Sequence, residues 1–189
     1  MACTGSAPDQ TESNSTAEPT VEMAPDTVAP VVDTTAPADP APTPGEWTAG
    51  IVEKTQNVTG AALLLDARVA ENEGFDRLVL EFEGDIMPSY HVEYIDRPIR
   101  QCGSGEEISV AGDGWLSVRL EPANAHTEEG QPTVQERSSM PGLPVVRQLT
   151  LICDFEAQVE WVLGVSSPNR YRVMELSEPA RLIVDVRHE

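Results

Sequence analysis

The chain has 189 residues, 32 Asp and Glu against 12 Lys and Arg, and a formal net charge of −20 at pH 7. This acid excess argues against binding of nucleic acid, whose phosphates need a basic surface, and against simple adsorption to anionic lipid. The sequence has no run of 20 apolar residues and so predicts no membrane-spanning segment.

Residues 1–46 are the first region of distinct composition. They hold eight of the 16 prolines and eight acidic residues, and they contain no Lys, Arg or aromatic residue. Such a segment cannot bury enough apolar surface to offset the entropy cost of ordering its backbone. The composition predicts a disordered tether, extended by its prolines and its charge, and a lead-in over 47–61.

Cys3 lies in this tether, where no packing requirement explains a cysteine. The sequence Ala2-Cys3-Thr4-Gly5-Ser6 resembles the end of a bacterial lipoprotein signal box and the start of the mature chain, whose cysteine sulfur carries a lipid. The resemblance implies lipidation of Cys3, an extracytoplasmic location and membrane contact only through that lipid. The alternative is an incidental cysteine.

The chain has eleven Arg and one Lys, a ratio that suits a GC-rich genome.

From residue 62 onward, apolar and polar residues alternate in short runs. Leu78, Leu80 and Phe82, for example, are separated by Val79 and Glu81. A period of two is typical of strands with one buried face, and no helical stripe of ten residues occurs. The pattern predicts an all-β domain, either a sandwich or a barrel, with strands near 62–70, 75–83, 89–95, 108–111, 115–121, 145–153, 156–164, 170–175 and 181–187.

Residues 122–144 interrupt this alternation. The segment has no clear periodicity and contains Pro122, Gly130, Pro132, Pro141, Gly142 and Pro144. We expect a long loop, and unstructured loops of this length are often functional.

The sequence contains no G-x-S-x-G, H-E-x-x-H, C-x-x-C or glycine-rich phosphate loop. We expect His91 at an exposed strand position, His126 in a solvated loop and His188 at a frayed terminus. No second ligand stands at a fixed spacing from a histidine, so we expect no metal, no cofactor and no enzymatic activity. We expect structural ion pairs between two strands. Their members are Asp76 and Arg77 near the start of one strand, and Arg181 and Asp185 in the last strand.

A binding surface is the better interpretation, because sugars and wall peptides are bound by aromatic faces beside carboxylates and arginines. Tyr94 and Trp115 are the aromatic candidates, although core packing is the stronger explanation for both. The predicted ligand-binding residues are Tyr94, Asp96, Arg97, Trp115 and Arg147.

Cys102 and Cys153 are the two cysteines of the folded part. Cys102 lies in a Gly-rich turn after the strand near 89–95, and Cys153 ends the strand near 145–153. Strand ends can approach closely enough for a disulfide, and an extracytoplasmic location permits oxidation. We predict that the two cysteines pair; the alternative is two separately buried thiols.

Four blocks of sequence resemble the AMIN-like domain: GFDRLVLEFEGDIMPSYHVEYIDRPI at 74–99, GDGWLSVRLEPANAH at 112–126, GLPVVRQLTLICDFEAQVEWVLGV at 142–165 and EPARLIVDVR at 178–187. The resemblance covers about 62–187. That family occurs in lipoproteins and secreted proteins of high-GC Gram-positive bacteria. The resemblance implies a compact β-sandwich that is located in the envelope and contacts peptidoglycan.

Two functions agree with these observations. The first is a non-catalytic envelope lipoprotein module that binds cell-wall glycan or peptide. The second is a lipoprotein adaptor that docks a protein partner, such as an envelope enzyme, through a sheet edge or the 122–144 segment.

Overall fold

The computed structural model describes residues 45–189. The predicted tether up to residue 44, with Cys3, therefore lies outside the described residues. Within 45–189 the chain forms thirteen β-strands and no helix, which confirms the predicted all-β class. In the same range, no helical segment has the length and apolar character that a membrane crossing requires.

The strands differ widely in length, from eleven residues in β2 to two residues in β5, β6, β8 and β9. In chain order they are β1 (Val52–Lys54), β2 (Ala62–Asn72), β3 (Phe75–Phe82), β4 (Ser89–Ile95), β5 (Ile99–Arg100), β6 (Glu107–Ile108), β7 (Gly114–Glu121), β8 (Ala123–Asn124), β9 (Ser138–Ser139), β10 (Val146–Phe155), β11 (Gln158–Val165), β12 (Tyr171–Leu176) and β13 (Arg181–Arg187).

Two larger sheets pack face to face as a β-sandwich. One has six strands in the order β1-β4-β7-β11-β10-β9, and the other has five in the order β12-β13-β3-β2-β8. Their neighbouring strands are antiparallel, except for the short parallel pair of β2 and β8. The hairpin of β5 and β6 forms a separate two-stranded sheet.

The inward-facing residues of both sheets form one hydrophobic core. Leu78, Leu80 and Phe82 alternate on β3 as the sequence predicts, and all three are fully buried. They belong to the same buried cluster as Trp161 and Leu163 of the six-stranded sheet. Burial of each such side chain stabilises the fold by about 1.5–3 kcal/mol.

The segment from residue 45 to β1 joins the edges of both sheets. The amide of Gly45 donates to the Val173 carbonyl at 2.9 Å, and Thr48 forms an antiparallel bridge with Tyr171, the first residue of β12. β1 then pairs with β4 in the other sheet. The predicted lead-in is thus built into the sandwich and carries Trp47 onto the outer face of the five-stranded sheet.

Residues 96–113, with the β5–β6 hairpin, fold over the outer face of the six-stranded sheet. They cover a second, smaller cluster that contains Ile99, Val110, Ile152 and Val162. The backbone there approaches β11 so closely that a Cβ on Gly164 would lie 1.8 Å from the Ala111 carbonyl oxygen. Glycine is therefore required at this contact.

The predicted disulfide between Cys102 and Cys153 is confirmed, with a Cα–Cα distance of 5.2 Å. It joins the exposed hairpin region to a buried position on β10, and it closes 51 residues of chain. The amide of Cys102 also donates to the Ile152 carbonyl at 3.2 Å. The bridge therefore holds the 96–113 segment against the sheet.

Several local predictions were wrong. The strand predicted near 108–111 is limited to Glu107–Ile108, because the following residues turn onto β11. The segment 122–144 is not wholly irregular, since it contains β8 and β9. Both strands have only two residues, which is too short for a period-two alternation to mark them.

Candidate functional site

Tyr94 lies between the sheets rather than on an open surface. Its ring packs edge-on against Tyr171 at 5.7 Å between centroids, and its hydroxyl donates to the Asn169 carbonyl at 2.6 Å. Burial raises the pKa of the Tyr94 hydroxyl. These contacts give Tyr94 a packing role.

Arg97 and Trp115 are brought together on the outer face of the six-stranded sheet. The guanidinium carbon lies 4.2 Å from the centroid of the indole, whose N–H donates to the Val110 carbonyl at 3.1 Å. Trp115 also packs against the second cluster. Asp96 is exposed beside them, whereas Arg147 lies on β10, where it donates to the Leu143 carbonyl.

A second group of aromatic and cationic side chains lies on the outer face of the five-stranded sheet. Strand register explains it: Arg172, Asp185 and Arg77 occupy one row across β12, β13 and β3, and Phe75 and Arg187 form the next row. Trp47 reaches the same face from the chain before β1. We call this set the arginine–tryptophan surface: Trp47, Phe75, Arg77, Arg172, Asp185 and Arg187.

Asp185 organises this surface from a fully buried position. Its Oδ1 accepts from Arg77 Nε at 2.6 Å, and its Oδ2 accepts from Arg77 Nη2 at 2.9 Å and from Arg172 Nε at 2.8 Å. The hydrogen bonds that Arg77 donates to Asp185 raise the pKa of the Arg77 guanidinium. Two guanidinium groups thus share one carboxylate, which fixes their positions and keeps the buried charge paired.

The two aromatic rings complete the framework. Trp47 and Phe75 meet edge to face at 6.1 Å. Arg172 lies 4.5 Å from the Trp47 centroid, Arg187 lies 5.3 Å from the same ring, and Arg77 lies 5.1 Å from the Phe75 centroid. Three cations are therefore held against two rings, although residues 47–189 as a whole carry 24 acids against 12 bases.

A third polar cluster links the 122–144 segment to β10. Asp154 Oδ1 lies 2.7 Å from His126 Nδ1 and accepts from the Ala125 amide, while Arg137 Nη2 donates to Oδ2 at 2.8 Å. His126 is half-buried here, so the expectation of a solvated loop position was wrong.

This His–Asp pair resembles part of a catalytic triad, but a triad also needs a nucleophile. Among residues 45–189, no hydroxyl or thiol hydrogen-bonds to His126. In the same range, no group of three or more His, Cys, Asp and Glu could hold a metal ion. The cluster fastens the 122–144 segment to β10.

The predicted ion pairs were partly right. Arg77 pairs with Asp185 across β3 and β13, as expected. Asp76 instead accepts from the amides of Val145 and Val146 and lies 2.9 Å from His188 Nε2. The prediction that the terminus frays at His188 was therefore wrong.

The sequence analysis missed Trp47, Phe75, Arg172 and Arg187 as candidate binding residues. One signal was present, since Phe75 and Arg77, and likewise Asp185 and Arg187, stand at alternate positions that face away from the core. A planar guanidinium suits a carboxylate or phosphate, and an aromatic face suits the C–H groups of a sugar. The surface can thus bind such groups.

A family model described as the AMIN-like domain matches residues 62–188. The matched range contains Phe75, Arg77, Arg172, Asp185 and Arg187, whereas Trp47 precedes it. Comparison with curated proteins and with solved structures gave no match.

Proposed function

The chain belongs to the AMIN-like domain family, and from this premise we propose that it binds cell-wall glycan or peptide through the arginine–tryptophan surface. AMIN-like domains are non-catalytic, extracytoplasmic domains of the cell envelope. The proposal adds to this a ligand class and a surface.

One observation carries the proposal: three arginines are ordered on two aromatic rings around the buried carboxylate of Asp185. Wall peptides present carboxylates, which a guanidinium fork binds with two hydrogen bonds. Glycan strands present C–H faces that pack on aromatic rings. Because these cations and rings are fixed before binding, the ligand does not have to order them.

Lipid attachment is a further part of the proposal. Cys3, in its Ala-Cys-Thr-Gly-Ser context, would carry a diacylglycerol, and residues 4–46 would tether the folded domain to the membrane of a high-GC Gram-positive cell. Metabolic labelling with an alkyne fatty acid tests this. We expect label on the wild-type protein and none on Cys3→Ala; equal label on both would contradict lipidation at this residue.

Cosedimentation with purified peptidoglycan sacculi tests the binding surface. The variant combines Trp47→Ala with Arg187→Gln, because neither side chain contacts Asp185 and the buried ion pairs stay intact. We expect wild-type protein in the pellet and this variant in the supernatant. The matched control, Arg100→Gln with Arg119→Gln, also changes exposed arginines and should pellet like wild type.

A rival location for the same function is the group of exposed Asp96, exposed Arg97 and half-buried Trp115, where one guanidinium also stacks on an indole. Asp96→Asn with Arg97→Gln tests it in the same assay. Loss of binding in this variant alone would move the site to the six-stranded sheet. Retention of every variant would overturn the proposed surface, and release of soluble wall fragments by the wild-type protein would overturn the non-catalytic assignment.

A further inference from the structure

The outer edge of β2 is unpaired along most of its length. β2 pairs with β3 from Leu64 to Asn72, but on its other side it pairs with β8 only at Ala62 and Leu63. Within residues 45–189, no other strand pairs with β2 on that side. An open edge of this kind presents backbone N–H and C=O groups that another extended chain can bind.

A groove follows this edge. Its second wall is the segment 133–141, which begins where the Thr133 hydroxyl donates to the Leu64 carbonyl at 2.5 Å and continues into β9 in the opposite sheet. The cavity between β2 and this segment has a volume of about 560 Å³. That volume lies within the usual range of ligand pockets in proteins.

Two exposed apolar side chains line the groove. Leu65 is 41% exposed and Met140 is 73% exposed, and the two lie on opposite walls. A β-bulge explains Leu65, because the register between β2 and β3 shifts between Leu64 and Asp66 and leaves this residue unpaired. Bulges of this type commonly re-aim a side chain at the edge of a sheet.

The charges along the groove favour a basic occupant. Asp66 and Glu136 line it, and the one lining arginine, Arg68, is bound by Asp66 and by Glu81. Acidic groups therefore outnumber the cation here. A positively charged side chain would be attracted, and an acidic segment would be repelled.

We propose that this groove binds an extended segment of a partner protein, which adds to β2 as a further strand. An apolar side chain of the segment packs between Leu65 and Met140, and a neighbouring Lys or Arg pairs with Asp66 or Glu136. Symmetric pairing of β2 with β2 of a second copy is disfavoured, because each β2 edge faces its own 133–141 wall. Main-chain hydrogen bonds supply affinity in this mode of recognition, and side-chain pockets supply specificity.

Selection of linear peptides from a phage-displayed random library on the immobilised full-length chain tests the proposal. We expect enriched sequences with an apolar residue beside Lys or Arg. In synthetic versions of these peptides, N-methylation of alternate amides should weaken binding about tenfold, and methylation of the intervening amides should not. Fluorescence anisotropy measures both, and this alternating pattern distinguishes strand addition from binding by side chains alone.

Leu65→Ser and Met140→Ser should each weaken peptide binding about tenfold, without a change in thermal melting, because they remove the apolar contact and leave the charge of the groove unchanged. The matched control is Ile86→Ser, because Ile86 is also 41% exposed and does not line the groove. The proposal is overturned if no linear peptide is enriched, if N-methylation has no alternating effect, or if Leu65→Ser binds as wild type. Concentration-dependent dimerisation that Leu65→Ser abolishes would also overturn it, since the occupant would then be a second copy.

Discussion

The two outer faces of the sandwich each carry an arginine stacked on a tryptophan, but the surroundings of the two pairs differ. On the six-stranded sheet, Trp115 donates its N–H to Val110 and packs on the second cluster under Arg97. On the five-stranded sheet, Trp47 has a guanidinium at 4.5 Å and another at 5.3 Å.

An arginine stacked on a tryptophan does not by itself identify a binding surface. The hairpin, its hydrophobic cluster and the disulfide explain the position of Trp115 through packing. The buried carboxylate of Asp185 instead fixes two cations next to half-buried rings. We therefore expect substitutions on the first face to change mainly stability and substitutions on the second face to change binding.

Removal of the disulfide should have the largest effect on stability. For a closed loop of 51 residues, the chain-entropy model gives about 4 kcal/mol, which corresponds to a fall in melting temperature of about 10 °C. Thermal melts of wild type with and without reductant measure this, and Cys102→Ala with Cys153→Ala should reproduce it. Binding to sacculi at low temperature should persist; its loss would mean that the two faces are not independent.

Asp185→Asn should have the next largest effect. It leaves Arg77 and Arg172 without the carboxylate that they share, and breaking a buried ion pair in this way costs about 3 kcal/mol. Unlike loss of the disulfide, it should also weaken wall binding, because the two guanidinium groups are no longer fixed. Denaturant unfolding and cosedimentation measure the two effects. Wall binding that matches wild type in a folded variant would contradict the ordering role of Asp185.

Much of the fold could be predicted because β-strand alternation is local. β3 was readable from its period-two pattern, since only one of its faces is fully buried. The two-residue strands β5, β8 and β9 were not, because a strand of two residues is too short to show alternation. The resemblance to the AMIN-like domain supplied the sandwich where alternation left a barrel equally open.

The candidate surface was harder to predict, for a physical reason. Arg172, Asp185 and Arg77 form one row only because β13 lies between β12 and β3, and sequence patterns do not specify that order. Trp47 joins the row through pairing of residues 45–48 with β12. The disulfide was predictable because only two cysteines occur in the folded part.

Trp115→Ala and Trp47→Ala should show most directly which face contributes to stability and which to wall binding. Trp115→Ala removes a ring that packs on the second cluster, and we expect a loss of about 2 kcal/mol in the free energy of unfolding with normal wall binding. Trp47→Ala removes a half-exposed ring and should cost only about 1 kcal/mol. It should nevertheless reduce retention by sacculi. If Trp115→Ala lost wall binding and Trp47→Ala kept it, the binding surface would lie on the six-stranded sheet.

Arg97→Gln should have the smallest effect. The guanidinium is exposed and lies over one face of Trp115, so its loss removes a cation–π contact worth about 0.5–1 kcal/mol. The indole N–H keeps its bond to Val110, and the ring keeps its packing. Denaturant unfolding should therefore show a small shift, and cosedimentation should show none.

Arg187→Gln is the matched substitution at the other tryptophan. It should also lower the free energy of unfolding only slightly, but it should lower retention by sacculi, because Arg187 is the most exposed cation beside Trp47. Retention of both single variants at the wild-type level would mean that neither stacked arginine contacts the wall, and the difference between the two faces would then be one of packing alone.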